Sequence, residues 1–208
     1  MNEIEILYKD KYFLVVNKPS GMLSIKGSRP EKGLSLIETL QEEYPSATIV
    51  HRLDMDTSGI MVVPLNKMAH RSISKQFQDR TTSKRYEAVV YGVMDDNHGE
   101  INESLIADKQ NPPKQKVDNE IGKPSKTLFE VVGKTDKYTK LSLAPITGRS
   151  HQLRVHLLSL GYPILGDSLY SEGDAFNCVE RLQLHSCMLK FKHPITKKDV
   201  EFKSDSKL

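Results

Sequence analysis

Short apolar runs, each cut off by a turn-forming cluster, recur along this chain and leave few stretches for helices. Ile4-Glu5-Ile6-Leu7-Tyr8 alternates, Lys9-Asp10-Lys11 interrupts, and Tyr12-Phe13-Leu14-Val15-Val16 runs apolar into the breaker Asn17-Lys18-Pro19-Ser20-Gly21. That pattern predicts two short strands around a turn. Ile60 to Val63 reads as a buried strand and Tyr86 to Tyr91 as another ending at Gly92, with more expected near 99–103, 127–132, 138–144, 187–192 and 199–203. Helical spacing is confined to Ser35–Tyr44, stopped by Pro45, to Lys67–Asp79, and to a segment from the expected N-cap Ser150 through Leu160. Strands interspersed irregularly with few helices predict a mixed α+β fold, not a doubly wound parallel sheet. Asp108 to Lys126, rich in Lys, Pro, Asn and Gly, reads as an irregular excursion, with 109–126 the segment expected to move most and 204–208 a fraying tail.

A length of 208 residues favours one domain, 1–208, with elaborations. Hydrophobic residues at 38% and charged residues at 27% exclude a disordered chain. The net charge is only +3, so a polyanionic partner has to be met by a local patch. No apolar stretch approaches the ~18 residues a membrane span needs, and MNEIEILYKDKYF lacks the features of a secretory leader, so a cytoplasmic location is expected. In that compartment Cys178 and Cys187 are expected as free thiols. A zinc site from Cys178, His185 and Cys187 lacks CxxC spacing.

Two clusters could carry chemistry. His51-Arg52-Leu53-Asp54-Met55-Asp56-Thr57-Ser58-Gly59 packs charge into a turn beside a buried strand. Its plain reading is a set of turn formers bonding nearby amides, with Gly59 supplying a permissive backbone. Thr147-Gly148-Arg149-Ser150-His151-Gln152-Leu153-Arg154-Val155-His156 sets two arginines and two histidines in the entry and first turns of a helix. A helix N-terminus attracts anions, and arginines there strengthen the attraction; the alternative is a solvated helix start with His156 as an ordinary histidine. His51, Asp54, His151, His156 and His185 show no fixed metal-ligand spacing, so no metal is expected. With no GxGxxG, P-loop or GxSxG, a reaction without cofactors is favoured. Between Lys67 and Arg85 stand Lys67, Arg71, Lys75, Arg80, Lys84 and Arg85 against the single acid Asp79, a local charge of +5 running into Tyr86. A basic ridge followed by an aromatic suits RNA, whose phosphates take the charges and whose unstacked base takes the ring. Lys109, Lys114, Lys116, Lys123 and Lys126 form a second basic group in the excursion.

At these residues the chain closely resembles the RluA family of RNA pseudouridine synthases. The resemblance spans NKPSGMLS (Asn17–Ser24), HRLDMDTSG (His51–Gly59), KRYEAVVYG (Lys84–Gly92), GRSHQLRVHL (Gly148–Leu157) and GYPILGDSLY (Gly161–Tyr170), five motifs in the family's order. YPSATIVHRLDMDTSG and NPPKQKV draw it toward the family's dual-specificity members. With sixteen residues before Asn17, the S4-type module of several relatives is not expected.

The resemblance implies a pseudouridine synthase fold and isomerisation of uridine to pseudouridine in a tRNA anticodon stem-loop and in 23S rRNA, by a monomer using neither cofactor nor membrane. Asp54 corresponds to the family's catalytic aspartate, acting on the ribose as nucleophile or as base. Arg154 is expected to pair with Asp54 and keep it ionised where a dry pocket would raise its pKa. Tyr86 matches the tyrosine that packs against the target base. A buried uridine has to be extruded first, and Arg52 is expected to fill the vacated space. The expected RNA contacts are His51, Arg52, Thr57, Lys67, Arg71, Lys75, Lys84, Arg85, Arg149 and His151. The competing readings are a synthase restricted to one of the two RNAs, a catalytically idle RNA-binding module, and a metal-dependent RNA hydrolase.

Overall fold

Residues 4–27 and 33–208 are described by a computed structural model. The strands are β1 (Glu5–Lys9), β2 (Phe13–Lys18), β3 (Ser58–Pro64), β4 (Ser83–Tyr91), β5 (His98–Asn102), β6 (Leu105–Ala107), β7 (Gln115–Val117), β8 (Lys126–Lys134), β9 (Tyr138–Pro145), β10 (Leu184–Lys192) and β11 (Asp199–Lys203). The helices are α1 (Leu36–Glu43), α2 (Lys67–Gln78), α3 (Gln152–Ser159) and α4 (Gly173–Asn177). The chain divides into two compact units, one from 1–84 with 186–207 and one from 85–185. The first unit is therefore discontinuous in sequence.

In the first unit β1, β2 and β3 pair antiparallel in that order, and β11 pairs antiparallel with β10. Phe13, Val15, Ile60, Val62, Ile73, Leu189 and Phe191 form its core. The alternating residues of β2 and β3 meet there with Ile73 from the apolar face of α2. Helix α1 begins with a capping box in which the Ser35 N–H donates to Glu38 Oε2 (3.0 Å) and the Glu38 N–H to Ser35 Oγ (3.4 Å). The turn between β1 and β2 is tied to the turn after β10 by the Asp10 carboxylate, 2.9 Å from His193 Nε2.

In the second unit the order is β4-β9-β8-β5, every pair antiparallel. Its core gathers Ala88, Val90, Ile101, Phe129, Leu141, Leu143, Leu153, Leu157, Ile164, Leu182 and Leu184. The expected α+β class is what forms. The stretch read as an irregular excursion contains a strand: β7 pairs with β6, Leu105 to Val117 and Ala107 to Gln115, and the amides of Leu105 and Lys123 bond each other's carbonyls. Three-residue strands flanked by Pro and Gly have too little periodicity to register in the sequence.

Candidate active site

In the first unit, residues 51–57 lead from the segment after α1 into β3, and the Lys18–Ser24 segment frames them. Lys18 is fully buried at 0% exposure, and its Nζ donates to the carbonyls of Pro19 (2.9 Å), Met22 (2.7 Å) and Met55 (2.9 Å). The Met55 carbonyl also accepts from the Gly21 N–H (3.0 Å), and Ser20 Oγ donates to the Asp56 carbonyl (2.7 Å). Ser24 Oγ donates to the Leu53 carbonyl (2.7 Å) and accepts from the Leu53 N–H (3.1 Å). The backbone is thus bonded on both sides of Asp54, whose side chain is half-buried. Burial pushes the Lys18 ammonium down to about 8 against the upward pull of Asp56 and Asp54, so this cation lies within electrostatic reach of both carboxylates. NKPSGMLS contains Lys18 but gives no sign of this burial, because a lysine is by default a surface residue. Just beyond the turn, Gly59 has φ +119°, and a Cβ there would sit 2.4 Å from the Ser186 carbonyl oxygen. Only glycine fits.

His51, expected both to support this loop and to lie among the RNA contacts, braces the turn. Its Nε2 accepts the Val62 N–H (3.0 Å) and its ring stacks on Phe77 at 4.4 Å between centroids. Burial, with Lys84 nearby adding to it, pushes the imidazole down to about 3, so it stays neutral and offers no charge to a phosphate. Thr57, also expected among the RNA contacts, is 3% exposed and presents no surface to a polyanion. Arg52 is exposed. The ridge of α2 forms as expected, with Lys67, Arg71 and Lys75 all exposed, although Lys75 pairs with Asp79 at 2.8 Å. Lys84 is half-buried; burial lowers its pKa and the neighbouring charge of Arg80 lowers it further.

In the second unit Tyr86 lies opposite Leu143 near the start of β4 and packs, partly exposed, against the core. Arg85 Nη1 donates to Ser142 Oγ (3.3 Å), and Arg149 is exposed. The cap of α3 is His151 and not the expected Ser150. Gln152 explains the shift. Its buried Oε1 accepts from the Arg149 N–H (3.0 Å) and from Thr147 Oγ1 (2.7 Å), while its Nε2 donates to the Lys126 carbonyl and to Thr127 Oγ1 (both 3.0 Å). His156 is buried, with Nδ1 2.9 Å from Thr127 Oγ1, and burial lowers its pKa.

Arg154 is 2% exposed and Asp167 0%. The arginine donates through Nε to Oδ2 (2.7 Å) and through Nη2 to Oδ1 (2.6 Å), and Oδ1 also accepts the amides of Leu169 and Tyr170. The carboxylate gripping Arg154 within its own unit is therefore Asp167, which sequence reasoning did not single out although GYPILGDSLY contains it. The Tyr170 ring lies 5.2 Å from Arg154 Cζ, and its hydroxyl is 2.7 Å from His151 Nδ1. Among the described residues no three His, Cys, Asp or Glu side chains are gathered to hold a metal ion, and Cys178 and Cys187 are both free thiols.

The family profile described as RNA pseudouridylate synthase matches residues 12–159. The chain belongs to the RNA pseudouridylate synthase family. This pseudouridylate synthase chain is 50% identical over 195 residues to the dual-specificity RNA pseudouridine synthase RluA of Vibrio vulnificus, covering 91% of this chain and 78% of that protein. It is 48% identical over 200 residues to the protein of the same name from Escherichia coli K12, covering 96% of this chain and 91% of the relative. Among solved structures, human RNA pseudouridylate synthase domain containing 1 matches with a TM-score of 0.84 and 30% identity, covering 98% of this chain and 83% of the human one.

Proposed function

We propose that this chain isomerises uridine to pseudouridine in a tRNA anticodon stem-loop and in 23S rRNA, with Asp54, Tyr86 and Arg154 as its catalytic set. The observation that carries the reading is the 50% identity, over 91% of the chain, to a relative named as a dual-specificity RNA pseudouridine synthase. The structure adds support by fixing the backbone on both sides of Asp54. The reaction breaks the C1′–N1 bond, rotates the base and joins C1′ to C5; C5 gives up a proton and N1 takes one, so no redox partner or co-substrate is required. Asp54 acts at the ribose as nucleophile or base, Tyr86 packs against the base, and Arg154 supplies fixed positive charge. The phosphates are met by Arg52, Lys67, Arg71, Lys75, Lys84, Arg85 and Arg149. On this reading the protein works in the cytoplasm as a monomer without a cofactor; no helix among the described residues is long and apolar enough to cross a membrane.

The test incubates wild type and Asp54→Ala with an anticodon stem-loop and a 23S rRNA fragment, and maps pseudouridine by reverse-transcription stops. Wild type is expected to modify both RNAs, while Asp54→Ala modifies neither yet retains RNA binding. Modification of one RNA alone refutes dual specificity, and binding by wild type without modification of either refutes the synthase reading.

A further inference from the structure

We propose that Tyr170 is a positioning residue that couples the basic β6–β7 hairpin to Arg154, an inference that rests on the synthase reading above. Several contacts converge on this one side chain. Its ring lies 5.2 Å from Arg154 Cζ, a cation–π distance, and Lys114 Nζ stands 6.0 Å from the same ring. Its hydroxyl accepts the Gln115 N–H at 2.7 Å and lies 2.7 Å from His151 Nδ1. Gln115 opens β7 and is flanked by Lys114 and the exposed Lys116, so the hairpin carries cations suited to RNA phosphate at the point where it touches Tyr170.

The other end of the link is the start of α3. His151 has φ 55° and ψ 15° and makes no side-chain cap. A residue other than glycine keeps this left-handed conformation where its surroundings hold it there. The hold is Tyr170, whose hydroxyl accepts the Gln115 amide and is hydrogen-bonded to His151 Nδ1 at 2.7 Å. Arg154 follows three residues later, nearly one helical turn along. A pull on β7 by bound phosphate reaches the Gln115 amide, then the phenol, and from there both the backbone at His151 and the guanidinium itself. This makes the setting of Arg154 depend on RNA held by the hairpin.

Tyr170→Phe removes the hydroxyl and keeps the ring. Single-turnover conversion of an anticodon stem-loop, followed by tritium release from C5-labelled uridine, is expected to slow about five- to tenfold at saturating RNA, the equivalent of one hydrogen bond. The RNA concentration for half-saturation is expected to hold within about twofold, because no phosphate ligand is lost. Lys114→Ala with Lys116→Ala is expected to lower the saturated rate in wild type and leave it unchanged in Tyr170→Phe. Amide hydrogen exchange gives a readout apart from catalysis: Gln115 and the first turn of α3 are expected to exchange faster together in Tyr170→Phe. An unchanged saturated rate, a defect confined to half-saturation, or faster exchange at Gln115 without α3 would each overturn the coupling. A wild type that makes no pseudouridine refutes the synthase reading, and the exchange pattern then decides the coupling alone.

Discussion

Asp167→Asn isolates the physics of the buried Arg154 pair. The substitution keeps the shape of the side chain, removes its charge, and turns one oxygen that accepts from the guanidinium into an NH2 donor. Arg154 is 2% exposed, so its charge has no water to turn to. Breaking a buried pair from one side costs about 3–5 kcal/mol. That is a large share of the ~5–15 kcal/mol by which a domain is stable. With a urea m-value of about 2 kcal/mol/M, the unfolding midpoint is expected to fall by about 1.5–2.5 M. The chain has no tryptophan, so circular dichroism is the appropriate probe. Adding Arg154→Met to Asp167→Asn removes the buried guanidinium that has lost its paired carboxylate and is expected to recover at least ~2 kcal/mol, which gives the double-mutant cycle a coupling energy well outside additivity. Additive losses, or a single-variant loss below ~1 kcal/mol, would refute the claim that the two charges are held dry and paired.

Other perturbations bear on the first unit. The imidazole of His51 is depressed from 6.5 to about 3, so its contribution to stability is fully present above 6.5 and is lost progressively as pH falls from there toward 3. The loss is expected to run near ~1.4 kcal/mol per pH unit, and urea unfolding of His51→Gln between neutral and acid pH should show a slope smaller by one proton. Gly59→Ala forces a Cβ to 2.4 Å from the Ser186 carbonyl oxygen at positive φ, and thermal unfolding is expected to register a loss of at least ~3 kcal/mol. Replacing Arg71 and Lys75 with Ala is expected to weaken binding to both RNAs alike and to flatten the log–log salt slope by about 1–2. An unchanged slope would move the phosphate footprint off α2.

Much of this architecture is legible in local pattern. The Ser35-x-x-Glu38 spacing marks the start of α1, and the apolar runs of β2 and β3 are long enough to separate a buried strand from a turn. The cap of α3 is hidden because it depends on Gln152, whose amide reaches residues as distant in sequence as Lys126 and Thr127. A serine one position earlier satisfies the local rule and is overruled by that buried network. At the candidate site the motif residues stand out as types, but their partners do not. Lys18 closes its three hydrogen bonds on backbone carbonyls, which carry no sequence signature, and Asp167 meets Arg154 across a loop. His51 braces its loop through the Val62 amide and the Phe77 ring, partners that no motif in the sequence announces.

The discontinuity of the first unit sets an order on synthesis. Residues 85–185 are contiguous and can collapse onto their own core as soon as they clear the ribosome. The stretch carrying Asp54 is made earlier yet has to wait, because the surface on which Gly59 closes is the backbone of Ser186. Leu189 and Phe191, which complete the first core, are translated later still. A chain cut after residue 185 would therefore keep every core residue of the second unit and lack the Ser186 backbone and the Leu189 and Phe191 side chains that complete the first.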